Sequence, residues 1–337
     1  METAMKTYPG LMTGKKILYV HGFGSSGASG TVKSLRMLLP ETRVVAPDLP
    51  VRPAEAMDLL RQVCGQEQPD LIIGASMGGM YAEMLYGFDR ILLNPAFQLA
   101  DTLATNNKIG RQEFYSPRRD GAKDFLVTKG LLAEFREVSS HCFEGACEEE
   151  QGRVYGLFGD KDPLVHTHDL FGGHYRQALW FDGEHYMNDH VLVRSVLPVV
   201  RWIDDRQEGR ERPILYIALD DTLVDNHHAG WEPMSSAVKA FQLLAEAYDV
   251  YVLAHYPTDR TQALSEQIQW VERWLGVPAW NRVVLTNHKN LVYGDYLIDA
   301  HTDKGATQFM GTFLHFGEDP YKTWEDVIEF FDRLGGQ

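Results

Sequence analysis

Short apolar runs alternate with amphipathic segments along almost the whole chain of 337 residues. Short, continuous apolar runs are typical of strands buried on both faces, and the segments between them have the spacing of helices that cover a sheet. The alternation therefore predicts the α/β class, with a mostly parallel sheet covered on both sides. In the first part of the chain, the predicted strands are 16–20, 43–46, 70–74, 89–93, 153–158 and 177–181, and the predicted helices are 31–39, 54–64, 77–87 and 190–205.

The alternation is interrupted twice. Residues 96–150 are long, polar and rich in charge, and a structureless loop of that length is uncommon in a compact domain, so we expect a lid with its own helices. Residues 206–212 contain no apolar residue and precede a proline, which predicts a linker. A second α/β series follows, with strands near 214–219, 249–254, 282–286, 296–299 and 312–315 and helices near 233–247, 261–275 and 322–334.

The chain is also longer than one hydrophobic core usually extends, so two domains are expected, at 1–205 and 213–337.

The formal net charge of −15 opposes binding to nucleic acid or to an anionic membrane surface. No apolar run is long enough to span a bilayer, and the first residues lack the apolar region of a signal peptide. Cys64, Cys142 and Cys147 form no CxxC pair, which predicts reduced thiols. We expect a cytoplasmic protein that acts on a small molecule, with self-association left open.

A glycine-rich segment follows the first predicted strand. In "HGFGSSG", Gly22, Gly24 and Gly27 match G-x-G-x-x-G, and Asp48 follows at roughly the spacing of a ribose-binding acid. One interpretation is a dinucleotide-binding loop. The alternative is a turn that presents backbone N–H groups to another catalytic centre, and His21 has no role in the first interpretation.

A second motif decides between these interpretations. Residues 70–79, "DLIIGASMGG", form an apolar strand that ends in G-x-S-x-G, the pattern of a nucleophile elbow. Ser76 must lie on a sharp, strained turn, so its neighbours Gly74 and Gly78 must be nearly free of side chain. A helix beginning at Met77 would direct backbone N–H groups at the place where an oxyanion develops.

The partners of Ser76 are expected after later strands, in the order acid and then histidine. Asp160 and Asp162 follow the strand 153–158, and His185 follows the strand 177–181. His185 would accept the Ser76 proton, and a carboxylate would fix the histidine tautomer and stabilise its cation. Asp162 is favoured, because its place before "PLV" puts it at the outward tip of the loop, with Asp160 as the alternative.

The oxyanion would be held by the N–H groups of Phe23 and Met77, with Gly22 in the turn beside them. A dinucleotide loop predicts neither Ser76 nor His185, so the glycine motif is interpreted as an oxyanion turn.

Five segments of the first domain carry a family resemblance: "YVHGFGSS", "PDLP", "IIGASMGGMYAEML", "LLNPA" and "GEHYM". Over about residues 15–204 the chain resembles the α/β-hydrolase superfamily, especially the small bacterial YqiA-like esterases. The resemblance implies a serine hydrolase of esters or thioesters that needs no cofactor, with Ser76 as nucleophile, His185 as base and Asp162 as acid. The lid departs most from the family pattern, and we hypothesise that its residues 115–119 guide an anionic substrate.

The second domain begins with "PILYIALDDTLVDN", which resembles the D-x-D-x-T motif of the haloacid dehalogenase (HAD) superfamily. Together with "VYVLAHYP", "LTNHKNLVYGDYLIDAHTDKGA" and "FGEDPYKTWEDVIEFF", it is similar to the type C 5′(3′)-deoxyribonucleotidases over about residues 213–335. The resemblance implies a nucleophilic Asp, a second Asp as acid and base, a Ser or Thr and a Lys that hold phosphoryl oxygens, and an Asp pair for Mg²⁺.

The sequence departs from that pattern at several positions. Ala218 stands at the nucleophile position, His255 lies in the segment that replaces the phosphate-holding Ser or Thr, and Ala300 follows Asp299 where a second Asp is expected. The family residues that remain are Asp220, Thr222, Lys289 and Asp299. An alanine methyl group cannot attack phosphorus, so the resemblance predicts a pseudo-phosphatase with a structural, oligomerising or ligand-sensing role. Mg²⁺ binding at Asp220 and Asp299 stays open, although a site short of acidic ligands binds hard cations weakly.

The sequence as a whole predicts an α/β-hydrolase fold with a helical lid, followed by a HAD-like parallel-sheet domain. The predicted activity is cleavage of a carboxylic ester or thioester through an acyl-Ser76 intermediate. Two alternatives remain: a nucleotide-phosphate-binding or phosphatase-type protein that acts through the second domain, and a non-catalytic scaffold.

Overall fold

The computed structural model describes residues 6–225, 231–257 and 261–334. The chain divides into two compact units, with the boundary between Gln207 and Glu208. Each unit has its own sheet and its own hydrophobic core. His227 and His228, which we interpret from the sequence as exposed residues rather than metal ligands, lie outside the described residues.

The first unit contains a fully parallel six-stranded sheet in the order β2-β1-β3-β4-β7-β8. These strands are nearly all apolar and buried, as expected for a sheet covered on both faces. The strands of this unit in chain order are β1 (Lys16–Val20), β2 (Arg43–Val45), β3 (Leu71–Ala75), β4 (Arg90–Leu93), β5 (Gly110–Glu113), β6 (Asp124–Val127), β7 (Val154–Gly159) and β8 (Ala178–Phe181).

Helices cover the sheet and bury one face each. Helix α2 begins with Pro53 at its first helical position and buries Ala56, Met57, Leu60 and Cys64, which share a face at helical spacing. The helices of this unit are α1 (Gly30–Leu38), α2 (Pro53–Glu67), α3 (Met77–Glu83), α4 (Leu99–Thr105), α5 (Lys129–Ser140), α6 (His168–Gly172), α7 (Asp189–Val191) and, after a π-helical segment (Leu192–Val196), α8 (Leu197–Glu208).

The end of α8 differs from the linker expected at 206–212. The helix continues to Glu208, and only residues 209–213 are irregular before the next strand. Two side chains hold its last turn: Arg206 Nη2 and Gln207 Nε2 donate to the carboxylate of Asp89 at 2.6 and 2.7 Å. These contacts come from residues distant in sequence, so local composition did not reveal them.

The insertion between β4 and β7 corresponds to the segment predicted as a lid. It contains α4 and α5, as its length suggested, and also an antiparallel hairpin formed by β5 and β6. Thr128 caps α5 by accepting the N–H of Leu131 at 3.0 Å, and Leu131 and Phe135 join the core of the unit.

The second unit contains a parallel five-stranded sheet in the order β13-β12-β9-β14-β15. The strands of this sheet in chain order are β9 (Ile214–Ala218), β12 (Asp249–Ala254), β13 (Val283–Leu285), β14 (Tyr296–Asp299) and β15 (Thr312–His315). Two further strands, β10 (Val224–Asp225) and β11 (Glu232–Pro233), form a separate antiparallel pair. Its helices are α9 (Ala237–Leu244), α10 (Thr261–Trp274) and α11 (Trp324–Arg333), and Thr323 and Asp326 form a capping box at the start of α11.

Each of the two central sheets is parallel, so the carboxyl ends of its strands lie along one edge of that sheet. This is the edge where α/β proteins place their sites. In the first unit, Val20 pairs with Gly74 and Ala75 with Leu93, which brings the loops after β1, β3 and β4 side by side. Within the described ranges, no helix has the length and apolar character needed to cross a bilayer.

Candidate active site

Ser76 lies on the sharp turn between β3 and α3. Its φ and ψ are 55° and −117°, a backbone conformation that residues other than glycine rarely adopt. A Cβ atom at Gly78 would lie 2.0 Å from the carbonyl oxygen of Val20, and one at Gly74 would lie 2.4 Å from the carbonyl oxygen of Gly78. Both spacer positions of G-x-S-x-G therefore have to be glycine, because backbone fills the space of a side chain.

The structure brings three of the predicted residues into one hydrogen-bonded chain. Ser76 Oγ lies 3.0 Å from His185 Nε2, and His185 Nδ1 lies 2.7 Å from Asp162 Oδ2. The three residues come from the loops after β3, β8 and β7. With a proton on Nδ1, the imidazole donates to Asp162 and leaves Nε2 free to accept the serine proton.

Asp162 and Asp160 have different environments. The Asp162 side chain is 1% exposed, and its Oδ1 accepts the N–H groups of Leu164 and Val165 at 2.7 and 3.1 Å. Asp162 therefore turns inward, not to the outward tip of the loop as the sequence suggested. Asp160 is exposed, and its Oδ1 accepts the Gly183 N–H at 3.0 Å.

The contacts of Asp162 also set its charge. Burial acts to raise the pKa of this carboxyl, but hydrogen bonds from His185, Leu164 and Val165 and the nearby imidazole outweigh it, and the pKa is lowered from its ordinary value of 3.8. Asp162 is thus an ionised carboxylate at neutral pH, as a partner for an imidazolium must be.

Asn94, at the end of β4, supports the histidine loop. Its Nδ2 donates to the carbonyl oxygens of Glu184 and His185 at 3.0 and 3.1 Å, and its Oδ1 accepts the Gly159 N–H at 2.8 Å. One amide thus joins the ends of β4 and β7 to the loop that carries the imidazole. Sequence analysis did not assign Asn94 a role, although the residue lies in the quoted segment "LLNPA". In the structure, Asn94 has a positive φ of 43°, a conformation that asparagine adopts more readily than most residues.

The predicted oxyanion turn lies against the elbow. A Cβ atom at Gly22 would lie 3.2 Å from the Ala75 carbonyl oxygen and 3.4 Å from Ser76 Cβ. Met77 is the first residue of α3, and the first N–H groups of a helix have no intrahelical acceptor. The N–H groups of Met77 and Phe23 thus belong to the two backbone segments that flank Ser76.

Asp48 and His21, the two side chains considered with the glycine motif, both make contacts with backbone N–H or C=O groups. Asp48 Oδ1 accepts the Gly27 N–H at 2.8 Å and its Oδ2 accepts the Arg119 N–H at 2.7 Å, so both oxygens are engaged within the protein rather than free for a ribose. His21 is buried, its Nε2 accepts the Leu49 N–H at 3.0 Å, and its Nδ1 lies 2.9 Å from the Gly22 carbonyl oxygen. Burial lowers the pKa of His21, in keeping with a neutral imidazole that supports the turn.

The second unit places the remnants of the HAD pattern at the equivalent edge of its sheet. Ala218 ends β9, Asp220 Oδ2 lies 2.6 Å from His255 Nδ1, and Asp221 Oδ2 lies 2.9 Å from His301 Nε2. Thr222 Oγ1 accepts the Ala300 N–H at 3.0 Å, a structural role. The pairing of both histidines with the Asp220-Asp221 pair was not foreseen, because their partners are 35 and 80 residues away in sequence.

The donor set in this second site does not fit Mg²⁺. Asp299 is buried and forms a salt bridge with Lys289, and its other oxygen accepts the His301 N–H at 2.9 Å. Burial raises the pKa of Asp299 although Lys289 acts to lower it, and a carboxyl held in this way is a poor ligand for a hard cation. In the parts of the chain that the structure describes, no group of three or more His, Cys, Asp or Glu residues is arranged to hold a metal ion.

Two family models match the chain. The model described as "Uncharacterised protein family (UPF0227)" matches residues 16–191, just over half of the chain. The model described as "5′ nucleotidase, deoxy (pyrimidine), cytosolic type C protein (NT5C)" matches residues 222–327.

Curated relatives match the nucleotidase-like part. A putative 5′(3′)-deoxyribonucleotidase of Vibrio phage KVP40 is 34% identical over 163 residues, which cover 41% of this chain and 95% of the phage protein. A putative 5′(3′)-deoxyribonucleotidase of Bordetella pertussis is 43% identical over 68 residues, which cover 20% of this chain and 37% of that protein.

Solved structures with similar architecture include a structure of the metagenome-derived lipolytic enzymes LipS and LipT, at 16% identity and a TM-score of 0.40, covering 56% of this chain and 94% of that one. The thioesterase domain from the curacin biosynthetic pathway is 15% identical, with a TM-score of 0.35 and coverage of 58% of this chain and 92% of that one. The chain combines an α/β-hydrolase unit with a HAD-like unit; it belongs to the uncharacterised family UPF0227 through the first and to the type C deoxyribonucleotidase family through the second.

Proposed function

We propose that the first unit is a serine hydrolase that cleaves a carboxylic ester or thioester through an acyl-Ser76 intermediate. The observation that carries the proposal is the hydrogen-bonded chain from Ser76 through His185 to the ionised Asp162, built on a strained elbow. The assembled chain also disfavours the scaffold alternative, because a buried carboxylate–imidazole pair aimed at a strained serine is costly to keep without a role.

Acylation follows from the geometry. His185 Nε2 removes the proton from Ser76 Oγ as that oxygen attacks the carbonyl carbon of the substrate, and Asp162 stabilises the imidazolium that forms. The carbonyl oxygen becomes an oxyanion and accepts hydrogen bonds from the N–H groups of Phe23 and Met77. The tetrahedral intermediate then expels the alcohol or thiol, which leaves with the proton that His185 returns.

Deacylation repeats these steps with water in place of the alcohol or thiol. His185 removes a proton from water, the hydroxide attacks the acyl carbon, and the imidazolium returns the proton to Ser76 Oγ as the carboxylic acid leaves. Every proton transfer is served by the same imidazole, so the route needs no cofactor. Asn94 keeps that imidazole in place by holding the backbone of residues 184 and 185.

A fluorophosphonate probe tests the proposal directly, because it labels only an activated serine. Wild-type protein is expected to be labelled at Ser76, and Ser76→Ala to lose both the label and ester turnover by about 10⁴-fold or more. Ser140→Ala is the matched control, since Ser140 is an exposed serine on α5 whose Oγ donates to the Glu137 carbonyl oxygen within its own helix. Equal labelling of wild type and Ser76→Ala would contradict the proposal.

We infer that the second unit does not hydrolyse phosphate esters by the aspartyl-phosphate route. Ala218 offers no nucleophile, and the two candidate Mg²⁺ carboxylates, Asp299 and Asp220, are engaged by Lys289 and His255. The relation to deoxyribonucleotidases is the observation that favours a phosphate monoester as a ligand of this unit. Its function is thus binding or structural rather than catalytic.

A further inference from the structure

The loop after β2 lies between two segments that are distant in sequence. One is the oxyanion turn, residues 21–27, and the other is the hairpin tip, residues 114–119, in the loop that joins β5 to β6. Asp48 and Leu49 make hydrogen bonds to both segments. These contacts lie outside the strand pairs of the central sheet, and together they connect the oxyanion turn to the hairpin tip.

Asp48 forms the first link. Its Oδ1 accepts the Gly27 N–H of the oxyanion turn at 2.8 Å, and its Oδ2 accepts the Arg119 N–H of the hairpin tip at 2.7 Å. A carboxylate that accepts one backbone N–H on each oxygen fixes both peptides at once, and hydrogen bonds to a charged acceptor are the stronger kind.

The Leu49 peptide forms the second link. Its N–H donates to His21 Nε2 at 3.0 Å, and its carbonyl oxygen accepts Arg118 Nη1 at 3.0 Å. The Arg118 side chain is 6% exposed and its guanidinium lies over the Phe114 ring at 4.6 Å. Arg118 is therefore engaged in holding the hairpin tip, so these contacts give no support at Arg118 to the hypothesis that residues 115–119 guide an anionic substrate.

Direct contacts reinforce these links. The Tyr115 N–H donates to the Gly24 carbonyl oxygen at 2.7 Å, and Ser26 Oγ donates to the Pro117 carbonyl oxygen at 2.7 Å. The Phe23 ring packs against Phe125 of β6, with ring centres 5.2 Å apart. Phe23, whose N–H is an oxyanion donor in the proposed function, is thus held through its side chain by the insertion.

We propose that Asp48 is a positioning residue, which ties the hairpin tip to the oxyanion turn and thereby fixes the Phe23 N–H for catalysis. The insertion then acts as a fixed wall of the site rather than as a lid that opens at this point. A turn of sequence "GFGSSG" is intrinsically flexible, and donors stabilise a developing charge only when they are already in position. The inference rests on the proposed serine hydrolase function.

The test compares Asp48→Ala and Asp48→Asn with Asp124→Asn, a hairpin carboxylate on β6 whose partner Arg111 is largely exposed. Asp48→Ala removes both acceptors, whereas Asp48→Asn keeps one oxygen. The kcat for an activated ester is expected to fall about 10- to 100-fold in Asp48→Ala, because small misplacements of a catalytic group have effects of this size, and to fall less in Asp48→Asn. KM is expected to stay within about threefold, and Asp124→Asn to match wild type.

A trifluoromethyl ketone that mimics the tetrahedral intermediate gives a readout that a purely structural role would not change. Its inhibition constant is expected to rise in Asp48→Ala and Asp48→Asn by the same factor by which kcat/KM falls. Hydrogen exchange measured on the same proteins is expected to be faster in both the oxyanion turn and the hairpin tip of Asp48→Ala. A kcat within twofold of wild type, or a rise in KM alone, would overturn the inference.

The two proposals fail in different ways. Wild-type protein that neither reacts with a fluorophosphonate nor hydrolyses esters contradicts the serine hydrolase function itself. In that case hydrogen exchange still tests whether Asp48 ties the hairpin tip to the oxyanion turn. Unchanged exchange in Asp48→Ala overturns this link, and faster exchange in both segments supports it.

Discussion

Asp160 and Asp162 follow the same strand two residues apart, yet only Asp162 lies against His185. The difference arises in the loop, where Asp162 Oδ1 accepts the N–H groups of Leu164 and Val165 and turns the carboxylate inward. Asp160 instead bonds the Gly183 N–H on the exposed side. The two residues should therefore respond differently to the same substitution.

Asp162→Asn is expected to lower kcat for ester hydrolysis by about 10⁴-fold, because an amide no longer holds the imidazole in the right tautomer or stabilises its cation. Asp160→Asn, the matched control, keeps an oxygen for the Gly183 N–H and is expected to stay within about threefold of wild type. Steady-state kinetics on one activated ester measure both. Equal losses in the two variants would contradict the assignment of Asp162.

The lowered pKa of Asp162 predicts that the effect of Asp162→Asn on the free energy of unfolding depends on pH. A carboxyl with a depressed pKa in the folded state contributes stability above its unfolded value of 3.8, and this contribution is lost as pH falls through the folded pKa. The difference in free energy of unfolding between wild type and Asp162→Asn is therefore expected to shrink below pH 3.8. Denaturant unfolding at a series of pH values measures it.

The residues of the site differ in how well the sequence predicts them. Ser76, Gly74 and Gly78 lie in one local motif whose sterics require those residue types, so a pattern is sufficient. The choice between Asp160 and Asp162 depends on the direction of a side chain in an irregular loop, which no periodicity determines. The roles of Asn94 and Asp48 come from partners on other loops and become visible only in the folded chain.

At the scale of elements, the sequence predicted the two central sheets and the presence of helices in the insertion, but not the hairpin of β5 and β6. The buried strands are continuous apolar runs, whereas β5 reads "GRQE" and alternates between exposed and half-buried residues without an apolar face. The hairpin tip that joins β5 to β6 makes hydrogen bonds to residues distant in sequence, which a local pattern does not reveal. The three-residue helix α7 and the π-helical segment that follows were likewise merged into one predicted helix.

The return of the insertion to the sheet is anchored by a buried ion pair. Arg90, at the start of β4, is fully buried and forms a salt bridge with Glu150, and it also donates to the Glu83 carbonyl oxygen. Glu83 in turn accepts the Tyr175 hydroxyl at 2.7 Å and the Phe143 N–H at 3.0 Å, and burial raises its pKa. One buried arginine thus joins α3 and β4 to the end of the insertion.

Glu150→Gln is expected to destabilise the first unit by about 3 kcal/mol, because it removes the carboxylate that pairs with the fully buried Arg90 guanidinium. Glu148→Gln is the matched control, because Glu148 lies in the same short 3-10 helix (Glu148–Glu150) and its partner Arg176 is largely exposed. This substitution is expected to change the free energy of unfolding by less than about 1 kcal/mol. Urea unfolding of the full chain, followed by circular dichroism, measures both. Similar effects of the two substitutions would contradict an anchoring role for the buried pair.

The whole molecule carries two parallel sheets of the kind that place sites at their carboxyl edges, but among the described residues only the first sheet's edge carries every group that the proposed hydrolytic route needs. In the first unit, hydrogen bonds join Ser76, His185 and Asp162, the proposed nucleophile, base and acid. In the second unit, Ala218 stands where the family resemblance predicts the nucleophilic Asp, and Lys289 forms a salt bridge with Asp299. The protein is therefore expected to have one hydrolytic centre.

Assays of the intact protein with both substrate classes test this expectation. Wild type is expected to hydrolyse acyl esters and Ser76→Ala is not, because the only nucleophile in the proposed route is removed. Neither protein is expected to release phosphate from deoxynucleoside monophosphates in the presence of Mg²⁺, and Mg²⁺ is expected to leave the thermal transitions unchanged, since a ligand stabilises only the state that binds it. Asp220→Asn serves as the control for residual phosphatase activity. If wild type released phosphate and this substitution abolished the release, the second unit would be a catalytic centre and the pseudo-phosphatase assignment would be wrong.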